Sequence, residues 1–223
     1  MWFRKLSIFL DKLQDQQWNN LVRFLVNPRF GNDSGYTEFE TDGTMVATGA
    51  ATTWDDVYPS SVTVGAGGTA PSFTAYGGGS LKAYEFTGGV SNKELQIGYQ
   101  LYHSYTEGST VVPHLHLHIN NNGTGGTVIF DLIYNWSNAG DTGAVAQTTV
   151  QATITLPADS TVRRNHLLSF GDITGTGKTI SSTFMTQIKR RQDLDTFSGS
   201  VWLLSADIHI EKNTIGSRQI LSK

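Results

Sequence analysis

Apolar and polar side chains alternate strictly along much of the chain beyond residue 80. In Val111–Ile119, Leu115, Leu117 and Ile119 take one side while His114, His116 and His118 take the other. Successive side chains of a strand point to opposite faces, so this spacing predicts a strand with one buried face and a column of imidazoles about 7 Å apart on the other. Leu95, Ile97, Tyr99 and Leu101 alternate in the same way, and Leu81–Phe86 reads as a short strand before them. Thr127–Trp136 places Val128, Phe130, Leu132, Tyr134 and Trp136 together, although Ile129 and Ile133 make its second face apolar too. Val145–Leu156, His166–Phe170, Ile180–Arg190 and Val201–Ile210 continue the series. In the last, Trp202, Leu204, Ala206, Ile208 and Ile210 are expected opposite Ser205, Asp207, His209 and Glu211. About eight or nine strands separated by turn signals, with no helix between them, predict an all-β antiparallel body, a jelly roll or β-sandwich, over residues 81–223.

The first 28 residues differ in kind. Trp2, Leu6, Phe9, Leu10, Leu13 and Phe24 fall largely at helical spacing, and Asn27-Pro28 ends the pattern. This predicts an N-terminal amphipathic helix whose aromatic-rich face needs a partner, either its own domain or a neighbouring subunit. Its polar face is not consistently basic, which disfavours a membrane-surface helix. Residues 29–80 read as a loop-rich arm, with one strand pair expected around Asp42-Gly43.

Composition narrows the function classes. Charged residues make up only 16% of the 223, and the net charge of −3 supplies no global basic field for nucleic acid. No segment reaches the roughly 20 consecutive apolar residues of a membrane helix. The early apolar run is broken by Asp11 and Lys12 with no small-residue cleavage site after it, which argues against a secretion signal. With no cysteine, any metal would have to use histidine, carboxylate or carbonyl ligands.

His114, His116 and His118 are therefore the candidate metal ligands, with His103, Asp207 and His209 on other strands as groups that could converge on them. The other reading is a polar column that is solvated or hydrogen-bonded to neighbouring strands. A cupin-like site would place a glutamate a few residues after His116-x-His118, but Ile119-Asn120-Asn121-Asn122-Gly123-Thr124 supplies none. In trimeric viral proteins, same-face histidines of three chains can meet a metal on the symmetry axis. Gly171–Thr179 imitates a phosphate-binding loop. With four residues before Gly177-Lys178-Thr179, however, the first glycine would fall at Asp172, and Ile180–Arg190 has strand spacing where that loop needs a helix. It reads as a glycine-rich turn. No serine or threonine has a local nucleophile context. Lys189-Arg190-Arg191 and Arg163-Arg164 read as solvated edges or ion-pair partners. Tyr99, Tyr102, Tyr134 and Trp136 are either sugar-stacking aromatics or, more plainly, a buried layer.

The order of several short motifs carries a resemblance: Trp54-Asp55-Asp56, then Pro113-His114-x-His116, then Tyr134-Asn135-Trp136-Ser137. After these come Leu168–Gly175 with Lys178-Thr179-Ile180-Ser181-Ser182, then Asp207-Ile208-His209 and Gly216-Ser217-Arg218. Over about residues 50–223 the chain resembles a family of tailed-phage virion structural proteins. His118 is an addition to that pattern. The resemblance implies a non-enzymatic virion component, most often trimeric. It would act as a capsid cement or decoration protein or as part of a neck or tail fibre, and bind other virion proteins. The resemblance does not reach the N-terminal segment, where helical spacing by itself makes Trp2, Leu6, Phe9, Leu10, Leu13 and Phe24 the expected docking face; no cofactor is expected, a metal ion on the histidine strand being the one candidate. Two alternatives come from other classes: a receptor- or carbohydrate-binding adhesin, and a cupin-like metal-binding protein.

Overall fold

Fourteen strands form among the described residues of the computed structural model, which are 27–40, 44–64, 69–76, 79–89, 91–120, 124–142, 146–158, 163–217 and 219–221. In chain order they are β1 (Arg29–Asn32), β2 (Gly35–Phe39), β3 (Met45–Gly49), β4 (Thr53–Val57) and β5 (Ser61–Val64). Then come β6 (Ser72–Ala75), β7 (Lys82–Phe86), β8 (Lys93–Gln100), β9 (Val111–Asn120) and β10 (Gly126–Ser137). The series ends with β11 (Thr148–Leu156), β12 (Arg163–Ser169), β13 (Thr183–Arg190) and β14 (Val201–Lys212). No helix among the described residues is long and apolar enough to cross a membrane.

The protein is all-β, and its sheets are antiparallel, consistent with a β-sandwich. One large sheet has the order β11-β10-β13-β8-β5; the other runs β12-β9-β14-β7-β6, with β4 also paired to β14. The inward faces share one core. Leu95, Ile97, Phe130, Leu132 and Phe184 come from the first sheet, and Leu115, Leu117, Ile119, Val201 and Ile208 from the second. Each such side chain taken fully out of water contributes about 1.5–3 kcal/mol, so the alternating residues that predicted the strands also hold the layers together. A separate three-stranded sheet, β1-β2-β3, joins the body where Ala47 N–H donates to the Asn213 carbonyl (2.6 Å).

Three expectations need correction or placement. The stretch 29–80 is not a loop-rich arm: the expected hairpin is there, with Phe39 opposite Met45, but β4, β5 and β6 are also built into the two large sheets. Short strands with little alternation escape a pattern search, because only their neighbours define them. Strand β14 does not alternate as expected either. A bulge between Leu203 and Ser205 leaves Val201, Leu203, Ala206, Ile208 and Ile210 inward and moves Trp202 to the side of Ser205, Asp207 and His209. One extra residue reverses every side chain on one side of it. Finally, the expected helix over residues 1–28, with Trp2, Leu6, Phe9, Leu10, Leu13 and Phe24, falls almost wholly outside the described residues.

The glycine-rich turn lies between β12 and β13, as the spacing indicated. Ile173 bridges to Val111 at its centre. Gly175 is pressed so closely on the Ser109 carbonyl and the Tyr105 hydroxyl that a β-carbon there would collide with both. Lys178 Nζ then donates to the Trp136 carbonyl (2.7 Å). Tyr99 and Trp136 are buried and Tyr134 stacks on Phe184 with ring centroids 5.0 Å apart, so these aromatics form the interior layer; Tyr102 is 39% exposed.

Candidate functional site

The outer face of the β12-β9-β14 sheet collects the polar residues that the alternation set aside. Register decides who meets whom. His114 lies opposite Asp207, His116 opposite Ser205 and His118 opposite Trp202, while β4 brings Asp56 opposite His209. Three segments far apart in the chain thereby share one surface.

Asp207 is its centre. The residue is only 3% exposed, although it sits on the outward side of its sheet. His114 Nε2 touches its Oδ1, and His116 Nε2 stands 3.6 Å from its Oδ2. Ser205 Oγ donates to Oδ2 at 3.2 Å. The contact with His114 is close but not aligned for a hydrogen bond, and Oδ1 accepts none among the described residues. A buried carboxylate without full hydrogen bonding needs a positive charge beside it, either a protonated imidazole or a cation. The neighbouring Asp207 carboxylate holds the His114 imidazole above its ordinary pKa, opposed by burial and assisted by the Val112 carbonyl, 3.2 Å from Nδ1. One donor atom from each of His114, His116 and Asp207 lies within 4.8 Å of the others.

The third histidine of the column goes elsewhere. His118 Nδ1 pairs with the Asn165 side-chain oxygen at 3.0 Å, and its ring lies among Tyr76 and Trp202, with centroids at 5.5 and 6.1 Å. Register is the physical reason: the bulge in β14 sets Trp202 opposite His118, where the unbroken register would set Leu203, and neither offers a carboxylate or hydroxyl. His209 is also committed. Its Nδ1 meets Asp56 Oδ1 at 2.8 Å, and Trp54 stacks on its ring at 5.1 Å with an 11° tilt. Lys212 Nζ pairs with Asp55 at 2.6 Å beside them and holds the Asp55 carboxyl below its usual range.

His103, the remaining candidate, stands at a different place. Its Nε2 is 2.9 Å from Ser181 Oγ and its Nδ1 2.8 Å from Ser217 Oγ. Ser181 has a positive φ of 59°, an uncommon setting for a non-glycine residue. A strained serine beside an imidazole invites comparison with a nucleophile. Here, however, the Ser181 hydroxyl donates to the Ile220 carbonyl (2.7 Å), and the N–H groups of Ser181 and Ser182 go to Leu101 and Thr179 carbonyls. Neither N–H of that turn is left to stabilise an oxyanion. The set clasps the C-terminal segment onto the body.

Arg190 was missed as a structural group. Expected as part of a solvated basic cluster, it is fully buried. Its guanidinium donates to Asp195 Oδ2 (2.6 Å) and to the carbonyls of Phe86 (2.6 Å), Gly199 (2.8 Å) and Phe197 (2.8 Å). A signal existed: Arg190 shares the inward phase of β13 with Phe184, Thr186 and Ile188. Arg191, the next residue, faces the other way and pairs with Asp131 and Asp193, both at 2.7 Å.

Comparison with known proteins leaves the family open: no family model matches the chain, and no curated protein is significantly similar. Among solved structures, one titled "Structure of Eiger TNF from S. frugiperda" is 7% identical and covers 72% of this chain and 92% of that one, with a TM-score of 0.28. An overlay that loose says nothing about ancestry or activity.

Proposed function

We propose that the chain is a non-enzymatic structural component of a tailed-phage particle. It is a jelly-roll body that assembles as a homotrimer and binds capsid, neck or tail proteins. The observation that carries this reading is where the motifs of the resemblance meet. Trp54 and Asp56, His114 and His116, and Asp207 and His209 come from motifs far apart in sequence, yet they lie side by side on the outer face of one sheet. The other face of that sheet is packed into the core. Chemistry-bearing residues displayed on a surface suit contact between assembled subunits, whereas turnover favours a recess that excludes water. In this reading residues 1–28 are the docking segment.

Mass spectrometry of purified particles from a phage encoding the chain tests it. The expected result is the protein at a fixed copy number per particle, and light scattering of the free chain at the mass of three 24.3 kDa subunits. Recovery from the lysate but never from particles would overturn the virion assignment, and a stable monomer or dimer would overturn the trimer.

A further inference from the structure

We infer that His114, His116 and Asp207 form a binding site for one divalent transition-metal ion, with zinc the first choice. This goes beyond the particle role and does not depend on it. The ligand set comes from two adjacent strands in fixed register, so the backbone is already in place. Zinc takes imidazole nitrogen and carboxylate oxygen at about 2.0–2.2 Å, which puts neighbouring ligand atoms about 3–3.5 Å apart. His116 Nε2 and Asp207 Oδ2, at 3.6 Å, are close to that spacing. All three donors lie within 4.8 Å of one another, so rotation of the His114 ring, whose Nε2 touches Oδ1, and of the half-exposed His116 side chain shapes the site without moving a strand.

The second observation is the acid itself. Asp207 is more than nine-tenths buried, and its Oδ1 accepts no hydrogen bond among the described residues while an imidazole nitrogen crowds it out of alignment. A cation held by Oδ1 and the two Nε2 atoms satisfies that oxygen once the His114 ring, now in contact with it, has turned aside. Val112 contributes as well. Its carbonyl lies 3.2 Å from His114 Nδ1, and a hydrogen bond there leaves Nε2 as the ligand lone pair, the arrangement metal-bound histidines commonly use. Two imidazoles and one carboxylate select a borderline transition ion over calcium or magnesium, which take mostly oxygen. The open coordination positions face away from the sheet, on the side where His116 is exposed.

The experiment uses the full chain with any affinity tag removed. Titration with zinc chloride is followed by calorimetry, and metal content after dialysis by elemental analysis. The expected result is one zinc per chain for the wild type and at least about a tenfold weaker affinity for His116→Ala. His118→Ala, on the same face of the same strand, is expected to stay within twofold of wild type. Because His116 is half-exposed, its replacement leaves the core intact, and Asp207→Asn provides a second, shape-conserving loss of a ligand. A wild type that takes up no stoichiometric zinc overturns the site. So does His116→Ala binding as tightly as wild type, or His118→Ala weakening binding as much as His116→Ala. Uptake by the free chain is read without particles, so this result and the virion assignment fail separately.

Discussion

Two buried charges in this molecule are treated in opposite ways. Arg190 lies in the core with its guanidinium directed at one carboxylate and three carbonyls, and its partner Asp195 also receives the Ile129 N–H at 2.6 Å. Asp207 is nearly as deeply covered, but one of its oxygens is left without a hydrogen bond and two imidazoles crowd it. A buried charge whose donors are taken up by a carboxylate and three fixed backbone carbonyls organises the fold. One that is covered and incompletely met is a place where the fold stops short of its own best packing, and such places are where ligands enter.

The sharpest way to break this contrast is Arg190→Met. It removes the charge and leaves Asp195 buried alone, and we expect a loss of about 3–5 kcal/mol in urea unfolding. The double variant with Asp195→Asn is expected to recover part of that. A cost below about 1 kcal/mol would mean the node is not structural. The next effect concerns the other end of the interior, where Tyr105 packs on Trp136. Burial pushes the Tyr105 phenol up to about 12, and its O–H donates to the Ser109 carbonyl (2.5 Å). Because the folded pKa is raised, the stabilisation is complete below the unfolded value near 10 and is lost as pH rises through 12. The loss is up to about 3 kcal/mol over that window. Unfolding free energy measured from about pH 9 to about pH 12 checks the sign, which must be downward.

Smaller changes are expected at the outer face. In metal-free protein, Asp207→Asn keeps the shape and removes a charge whose pairing was incomplete, so we expect a cost of about 1–2 kcal/mol. A loss as large as that of Arg190→Met would show that the two charges are equivalent and the contrast false. His118→Ala removes one side-chain contact to Asn165 and partial ring packing, and is expected to shift stability by less than about 1 kcal/mol in chemical unfolding.

Much of the fold was legible because burial and strand period coincide. Leu115, Leu117 and Ile119 on β9 were assigned to a buried face from spacing alone and lie in the core; Val128, Phe130 and Leu132 on β10, which spacing only grouped on one of two apolar faces, lie there too. What escaped had a physical cause in each case. Strands β4, β5 and β6 carry mostly exposed side chains, so no apolar period announces them. The bulge at Leu204 leaves no mark in a run of apolar letters, yet it exchanged Trp202 from one face to the other. Arg190 followed the inward period but was judged by its charge and not by its phase.

For the site, the alternation by itself determined that the three histidines share a face and that Asp207 and His209 share another strand's polar side. Only the tertiary structure decided that Asp207 sits across from His114, that Trp202 sits across from His118, and that Asp56 and Trp54 hold His209 aside. Period is a local property of the backbone and can be read from neighbours in the chain. Register is a property of two strands at once, set by the turn, the bulge and the packing between them.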